Sequence, residues 1–140
     1  MLKSTILIVE DDKDDCELLV TALLASGIKN EFLCFHDPAE ALDYLKSTKK
    51  ETFLIISDVN MPIMNGFDFK KKINEDNKLD RKKIPFVFLS TSDSAYLINQ
   101  AYTLSIQGYF QKPNDVKTMN SVVRSIVEYW SMCKHPTISN

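Results

Sequence analysis

The chain has 140 residues, 44% of them hydrophobic, which suits a single domain that can bury its own core without help from disulfides or metal. A formal net charge of −2 and a pI near 5.7 give no electrostatic reason to expect a nucleic-acid partner. The three cysteines, Cys16, Cys34 and Cys133, form neither a disulfide pattern nor a Cys-x-x-Cys metal pair, and read as small buried or half-buried thiols.

Five short apolar runs alternate with segments of helical period. The first, TILIV over 5–9, is too short for a signal peptide, and no segment approaches membrane-spanning length, so a cytoplasmic protein without a membrane partner is expected. Leu18, Leu19, Ala22 and Leu23 then predict a helix over 14–26, before a second strand, EFLCF, at 31–35. The stretch HDPAEAL carries a helix start: Asp37 as N-cap, Pro38 at the first helical position and Glu40 completing a capping box, with Ala41, Leu42 and Leu45 on one face of 38–47. The third strand, 53–57, shows no polar alternation through Phe53, Leu54, Ile55 and Ile56, as expected of a strand buried on both faces. A helix starting near Gly66 with Phe67, Phe69 and Ile73 follows, then a polar loop, EDNKLDRKK. The basic clusters Lys70 to Lys72 and Arg81 to Lys83, interrupted by Glu75, Asp76 and Asp80, read as solvated surface. PFVFLS (85–90) is the fourth strand, with Pro85 where a missing N–H is tolerable. A weaker helix over 93–103 with Tyr96, Leu97 and Ala101, a fifth strand IQGYF (106–110) and a final helix over 115–132 complete the pattern. The domain spans 1–134, and 135–140 is read as a short flexible tail.

Such βα alternation predicts a parallel sheet covered by helices on both faces, and the flavodoxin-like (βα)5 order 2-1-3-4-5 is expected. Sites in sheets of this kind lie beyond the carboxyl ends of the strands, near the switch point between the first and third. There the first strand delivers Glu10 and Asp11, and the third ends in Asp58. Two carboxylates about 4 Å apart repel by roughly 4 kcal/mol at an effective dielectric near 20, so three together call for a proton or a cation. A hard divalent ion such as Mg²⁺ answers that need with oxygen ligands. Asp12, Asp14 and Asp15 are read instead as the acidic first turn of a helix. The fourth strand ends in Ser90, Thr91 and Ser92, and the fifth leads to Lys112. A carboxylate nucleophile, a metal, a hydroxyl and a fixed positive charge are what a transferring phosphoryl group requires.

The ordered set VEDD, SDVNMPIMNG, LSTS and GYFQKP resembles the receiver domain of two-component response regulators, over residues 4 to about 132. The resemblance implies Asp58 as phosphoacceptor, with Glu10, Asp11, Asp58 and the backbone carbonyl of Asn60 around Mg²⁺. It implies catalytic support from Ser90 and Lys112, and a switch formed by Ser90 and Tyr109. Pro113 implies a cis Lys112–Pro113 bond, although only about 5–6% of X–Pro bonds in folded proteins are cis. Thr91 is bulkier than the residue usual after the switch hydroxyl, and Ser92 replaces larger or charged groups often found there. The partners implied are a sensor histidine kinase or phosphotransfer protein, of phytochrome type on a weaker resemblance, and a downstream protein target. Tyr96, Tyr102, Tyr109 and Trp130 could serve a docking face or a homodimer. No output domain is expected after the last helix, so the chain is read as a stand-alone signalling domain, not an enzyme acting on other substrates.

Other uses of a strand-end aspartate fit less well. A haloacid-dehalogenase-like phosphatase expects a second Asp where Asn60 stands, and a flavin module expects a Gly/Ser/Thr-rich phosphate loop after the first strand. An interaction module without phosphoryl chemistry would not require the complete acid, hydroxyl and lysine set.

Overall fold

The structure is a computed structural model that describes residues 5–135. Strands Thr5–Val9 (β1), Phe32–Phe35 (β2), Thr52–Ser57 (β3), Phe86–Ser90 (β4) and Gly108–Gln111 (β5) pair in parallel in the order β2-β1-β3-β4-β5. The flavodoxin-like order expected from the sequence is the one observed. The helices are Lys13–Ala25 (α1), Pro38–Ser47 (α2), Gly66–Glu75 (α3), Asn77–Arg81 (α4), Ala95–Tyr102 (α5) and Val116–Met132 (α6).

Alternation along each strand sorts the apolar side chains into two layers. Leu7, Val9, Ile55, Phe86 and Phe88 pack with Leu42 and Leu45 of α2, Phe69 and Ile73 of α3, Leu79 of α4 and Ala101 of α5. Ile6, Ile8, Leu54, Ile56, Val87 and Leu89 pack with Leu19 and Leu23 of α1 and Met119, Val123, Ile126 and Val127 of α6. Both faces of the central strands are therefore dry, which is why β1 and β3 lack polar alternation. Full burial of each such side chain contributes about 1.5–3 kcal/mol, and the layers clamp the strand ends that carry the site.

Several expectations from the sequence are corrected. The stretch read as the loop EDNKLDRKK contains α4, started by the Asp76 carboxylate, which accepts from the Leu79 N–H at 3.0 Å. Its one buried apolar residue, Leu79, is too short a pattern to announce a helix. Asp37 does cap α2, but it accepts from the Ala39 N–H at 2.9 Å and Glu40 closes no capping box. The capping box belongs to α3, where Asn65 and Asp68 exchange backbone-to-side-chain bonds. β5 is Gly108–Gln111, two residues later than IQGYF suggests at its start, although Ile106 is buried against the core.

Lys70 is not solvated surface. It is buried on α3, donates to Asn74 Oδ1 at 2.7 Å and holds its ammonium 5.5 Å from the centre of the Phe86 ring. The Lys112–Pro113 bond is trans, the isomer that even a tertiary amide prefers by about 0.5–1 kcal/mol. Cys16 and Cys34 are joined as a disulfide, because α1 packs over the β1–β2 edge and sets the two sulfurs side by side; Cys133 is a half-buried free thiol. Of the expected tail, 136–140 lie outside the described residues, while His135 packs against Phe53 and donates from Nε2 to Trp130 O, 2.9 Å away.

Candidate functional site

The sheet's hydrogen bonding runs one residue past the strands and so fixes the backbone of the site. Glu10 N donates to Phe35 O at 2.9 Å, Asp58 N to Val9 O at 2.9 Å, and Lys112 N to Ser90 O at 2.6 Å. Glu10, Asp58 and Lys112 are thus held by a neighbouring strand rather than by a mobile loop.

Asp58 is 8% exposed. Its Oδ1 accepts from the Val59 N–H at 2.8 Å, while Oδ2 lies 3.7 Å from Lys112 Nζ. Lys112 Nζ donates to Glu10 Oε1 at 2.7 Å and to Asp15 Oδ2 at 3.1 Å. The other oxygen of Glu10 accepts from the Asp12 N–H at 3.2 Å. Burial pushes the Glu10 carboxyl up to about 7, opposed by the Lys112 bond and reinforced by the Asp58 charge. Burial pulls the Lys112 ammonium down, but the Glu10 bond and the charges of Asp58 and Glu10 outweigh it and hold the group at about 12. Lys112 therefore stays cationic, a permanent counter-charge among acids.

Glu10, Asp11 and Asp58 each offer a carboxylate oxygen within 4.8 Å of the others, with Asp11 exposed and the other two buried. An all-oxygen donor set with one open side fits a hard divalent cation, and one lysine cannot balance so many acids alone. Asn60, two residues beyond Asp58, stands exposed on the same loop.

Ser90 is fully buried; its Oγ accepts from the Ser92 N–H at 3.2 Å. Tyr109 is half-buried, with its ring 6.2 Å from that of Phe88 and its hydroxyl donating to Ser92 O at 2.9 Å. Ser90 and Tyr109 thus meet through Ser92 rather than through the acids. Thr91 occupies an exposed position beside them. Asp12 is the N-cap of α1, accepting from the Asp15 N–H at 3.0 Å, as expected of a first-turn acid. Asp15 is the residue that sequence reasoning missed: its position in an acidic first turn gave it an ordinary role, and only the packing of α1 on the sheet brings it to Lys112.

The family model described as the response regulator receiver domain matches residues 6–124. The chain belongs to this family. As a receiver domain it is similar to response regulator Rcp1 of Synechocystis sp., 29% identical over an alignment of 130 residues that covers 89% of this chain and 87% of that protein. The crystal structure of the phosphorylated cyanobacterial phytochrome response regulator RcpA matches with a TM-score of 0.87 and 30% identity, covering 97% of this receiver domain and 100% of that chain. The Mn²⁺-bound form of Rcp1 matches with a TM-score of 0.83 and 28% identity, covering 96% and 99%. Among the described residues of this receiver domain, no helix is long and apolar enough to cross a membrane.

Proposed function

We propose that the chain is a response regulator that accepts a phosphoryl group on Asp58 from a phosphohistidine of a sensor kinase or phosphotransfer protein. The observation that carries the reading is the buried Asp58 carboxylate with one oxygen held by Val59 N–H and the other turned toward Lys112, beside Glu10 and Asp11. Oδ2 is the free nucleophile: it attacks phosphorus in line, a P–O bond forms, and the P–N bond breaks with its electron pair returning to the histidine. Glu10, Asp11 and Asp58, with the Asn60 carbonyl, would hold Mg²⁺, which neutralises charge on the phosphoryl oxygens when bound. Lys112 contributes a second, fixed positive charge, and Ser90 donates its O–H to a phosphoryl oxygen as the side chain moves toward it and away from the Ser92 N–H that its Oγ accepts from.

That exchange gives the site its output. Movement of Ser90 disturbs Ser92, whose carbonyl holds the Tyr109 hydroxyl, and so alters the surface of α5, β5 and α6. A downstream protein would read this face, or a second copy of the chain would; nucleic acid and membrane are not expected as partners, and the site of action is the cytoplasm. The likeness to RcpA supports a phytochrome-type kinase as donor. Catalysis is confined to the domain's own phosphorylation and its reversal by water.

Intact mass after incubation with Mg²⁺ and acetyl phosphate tests the reading. One base-labile phosphoryl adduct is expected on the native chain and none on Asp58→Asn. No adduct on a native chain that binds Mg²⁺ would leave an interaction module without phosphoryl chemistry.

A further inference from the structure

Outside the acid pocket, a second set of ligand-type side chains converges where α1 crosses β2. Cys16 is 5% exposed on α1, Cys34 is half-buried on β2 and His36 is exposed just beyond that strand. Both sulfurs and a ring nitrogen of His36 lie within 4.8 Å of one another. Two ligands about 2.3 Å from a tetrahedral ion stand roughly 3.8 Å apart, so this grouping is of the size that one small ion spans.

The imidazole is the informative member. A disulfide between Cys16 and Cys34 has no use for a histidine, yet His36 is both close and oriented. Its Nδ1 lies 2.8 Å from Glu10 O, an atom that can only accept, so Nδ1 carries the proton and Nε2 keeps the lone pair. A backbone carbonyl fixing one ring nitrogen is the usual support of a histidine that binds metal through the other. An open cavity of about 360 Å³ reaches the cluster, lined by Lys13, Cys16, Glu17, Val20, Thr21 and His36. It provides access for an ion and room for a fourth ligand, water or the Glu17 carboxylate.

We propose that reduced Cys16 and Cys34, together with His36, form a zinc site separate from the acid pocket. Two thiolates and an imidazole are soft to borderline donors that favour Zn²⁺, whereas the carboxylates around Asp58 favour Mg²⁺. The disulfide is the metal-free state. A dithiol reductant supplies two electrons and two protons to break the Cys16–Cys34 bond and is itself oxidised to a disulfide; zinc then displaces both thiol protons to solvent. The site is independent of whether Asp58 accepts phosphate.

The test is titration of the reduced full chain with Co²⁺ while Mg²⁺ saturates the acid pocket. Thiolate ligation should give a near-ultraviolet charge-transfer band and tetrahedral visible bands, saturating at one ion per chain and bleached by Zn²⁺. The bands should vanish in Cys34→Ser and in the oxidised chain, weaken more than about tenfold in affinity in His36→Ala, and persist in Asp11→Asn. Circular dichroism of each variant separates lost ligation from lost folding, and Cys34→Ala provides a second replacement that keeps an apolar strand residue. Absence of the charge-transfer band in the reduced native chain would overturn the proposal. So would undiminished binding in folded His36→Ala.

Discussion

Lys112 illustrates how one side chain sets the electrostatics of a site. Its ammonium meets Glu10, Asp15 and Asp58 at 2.7, 3.1 and 3.7 Å. The Glu10 bond is short and buried, whereas Asp15 is 40% exposed in its side chain and contributes less in a wet environment. Asp58 is the most distant partner, and its Oδ2 is the oxygen that the proposed function makes the nucleophile. On the proposed function, replacing Lys112 by Ala would remove a charge that stabilises the phosphoryl oxygens, and should slow adduct formation from acetyl phosphate by about 10²–10³. Asp15→Asn leaves Lys112 tied to Glu10, and the same mass assay should register a slowing of less than about tenfold. A loss as large as that of Lys112→Ala would mean that Asp15 sets the lysine's position.

Among the elements, α3 bears most directly on the strand end that carries Asp58. Its first residue, Gly66, donates its N–H to Val59 O at 2.8 Å, and a Cβ there would run into the Asp58 carbonyl oxygen, the Phe88 ring and the Val59 backbone. The glycine is needed for this close approach and not for an unusual backbone angle. Gly66→Ala must push α3 away from Asp58, with an expected loss of about 1–3 kcal/mol in urea unfolding and slower phosphorylation. Asn65→Ala supplies the contrast: losing the cap costs about 1 kcal/mol of stability but leaves the Asp58 backbone in place, so the phosphorylation rate should hold. Equal rate losses in both variants would show that global stability, not the Gly66 contact, governs the site.

Over the described residues, stability rests on two apolar layers, and the Lys70 ammonium is buried at the edge of the first. Burial lowers the Lys70 pKa, with Asp80 opposing and Lys83 adding to the shift. In the folded state this ammonium is therefore less favourable than in the unfolded chain, where it titrates near 10.5. The cost is present in full at neutral pH and is relieved as pH rises toward 10.5, where the folded protein releases the proton first. Lys70→Met keeps the packing without the charge, and should raise stability at pH 7 by about 1 kcal/mol, an advantage that shrinks in alkali. Denaturant titrations of both chains at several pH values would reveal it; a destabilised Met variant at pH 7 would mean that the Asn74 bond and the Phe86 ring outweigh burial.

The five strands, their parallel order and the residues at their carboxyl ends were legible in the sequence because local patterns carry them. Apolar runs without alternation mark doubly covered strands, and a residue directly after such a run has little freedom over where it goes. Glu10, Asp58, Ser90 and Lys112 were placed at the sheet edge by that logic, and the ordered motifs added their expected roles. Features made by packing between distant segments were not legible. Asp15 reaches Lys112, Cys16 meets Cys34 and His36, and Lys70 lies over Phe86 only after helices dock on the sheet. The capping box lies at Asn65 and Asp68 instead of Asp37 and Glu40 because cap geometry depends on the approach of the chain. The sequence alone determined the sheet and which side chains stand at its edge, since periodicity and strand ends are local properties. Tertiary structure decided which acid shares the lysine, which cysteines become neighbours and which lysine is buried, since those depend on contacts between elements that no local spacing encodes.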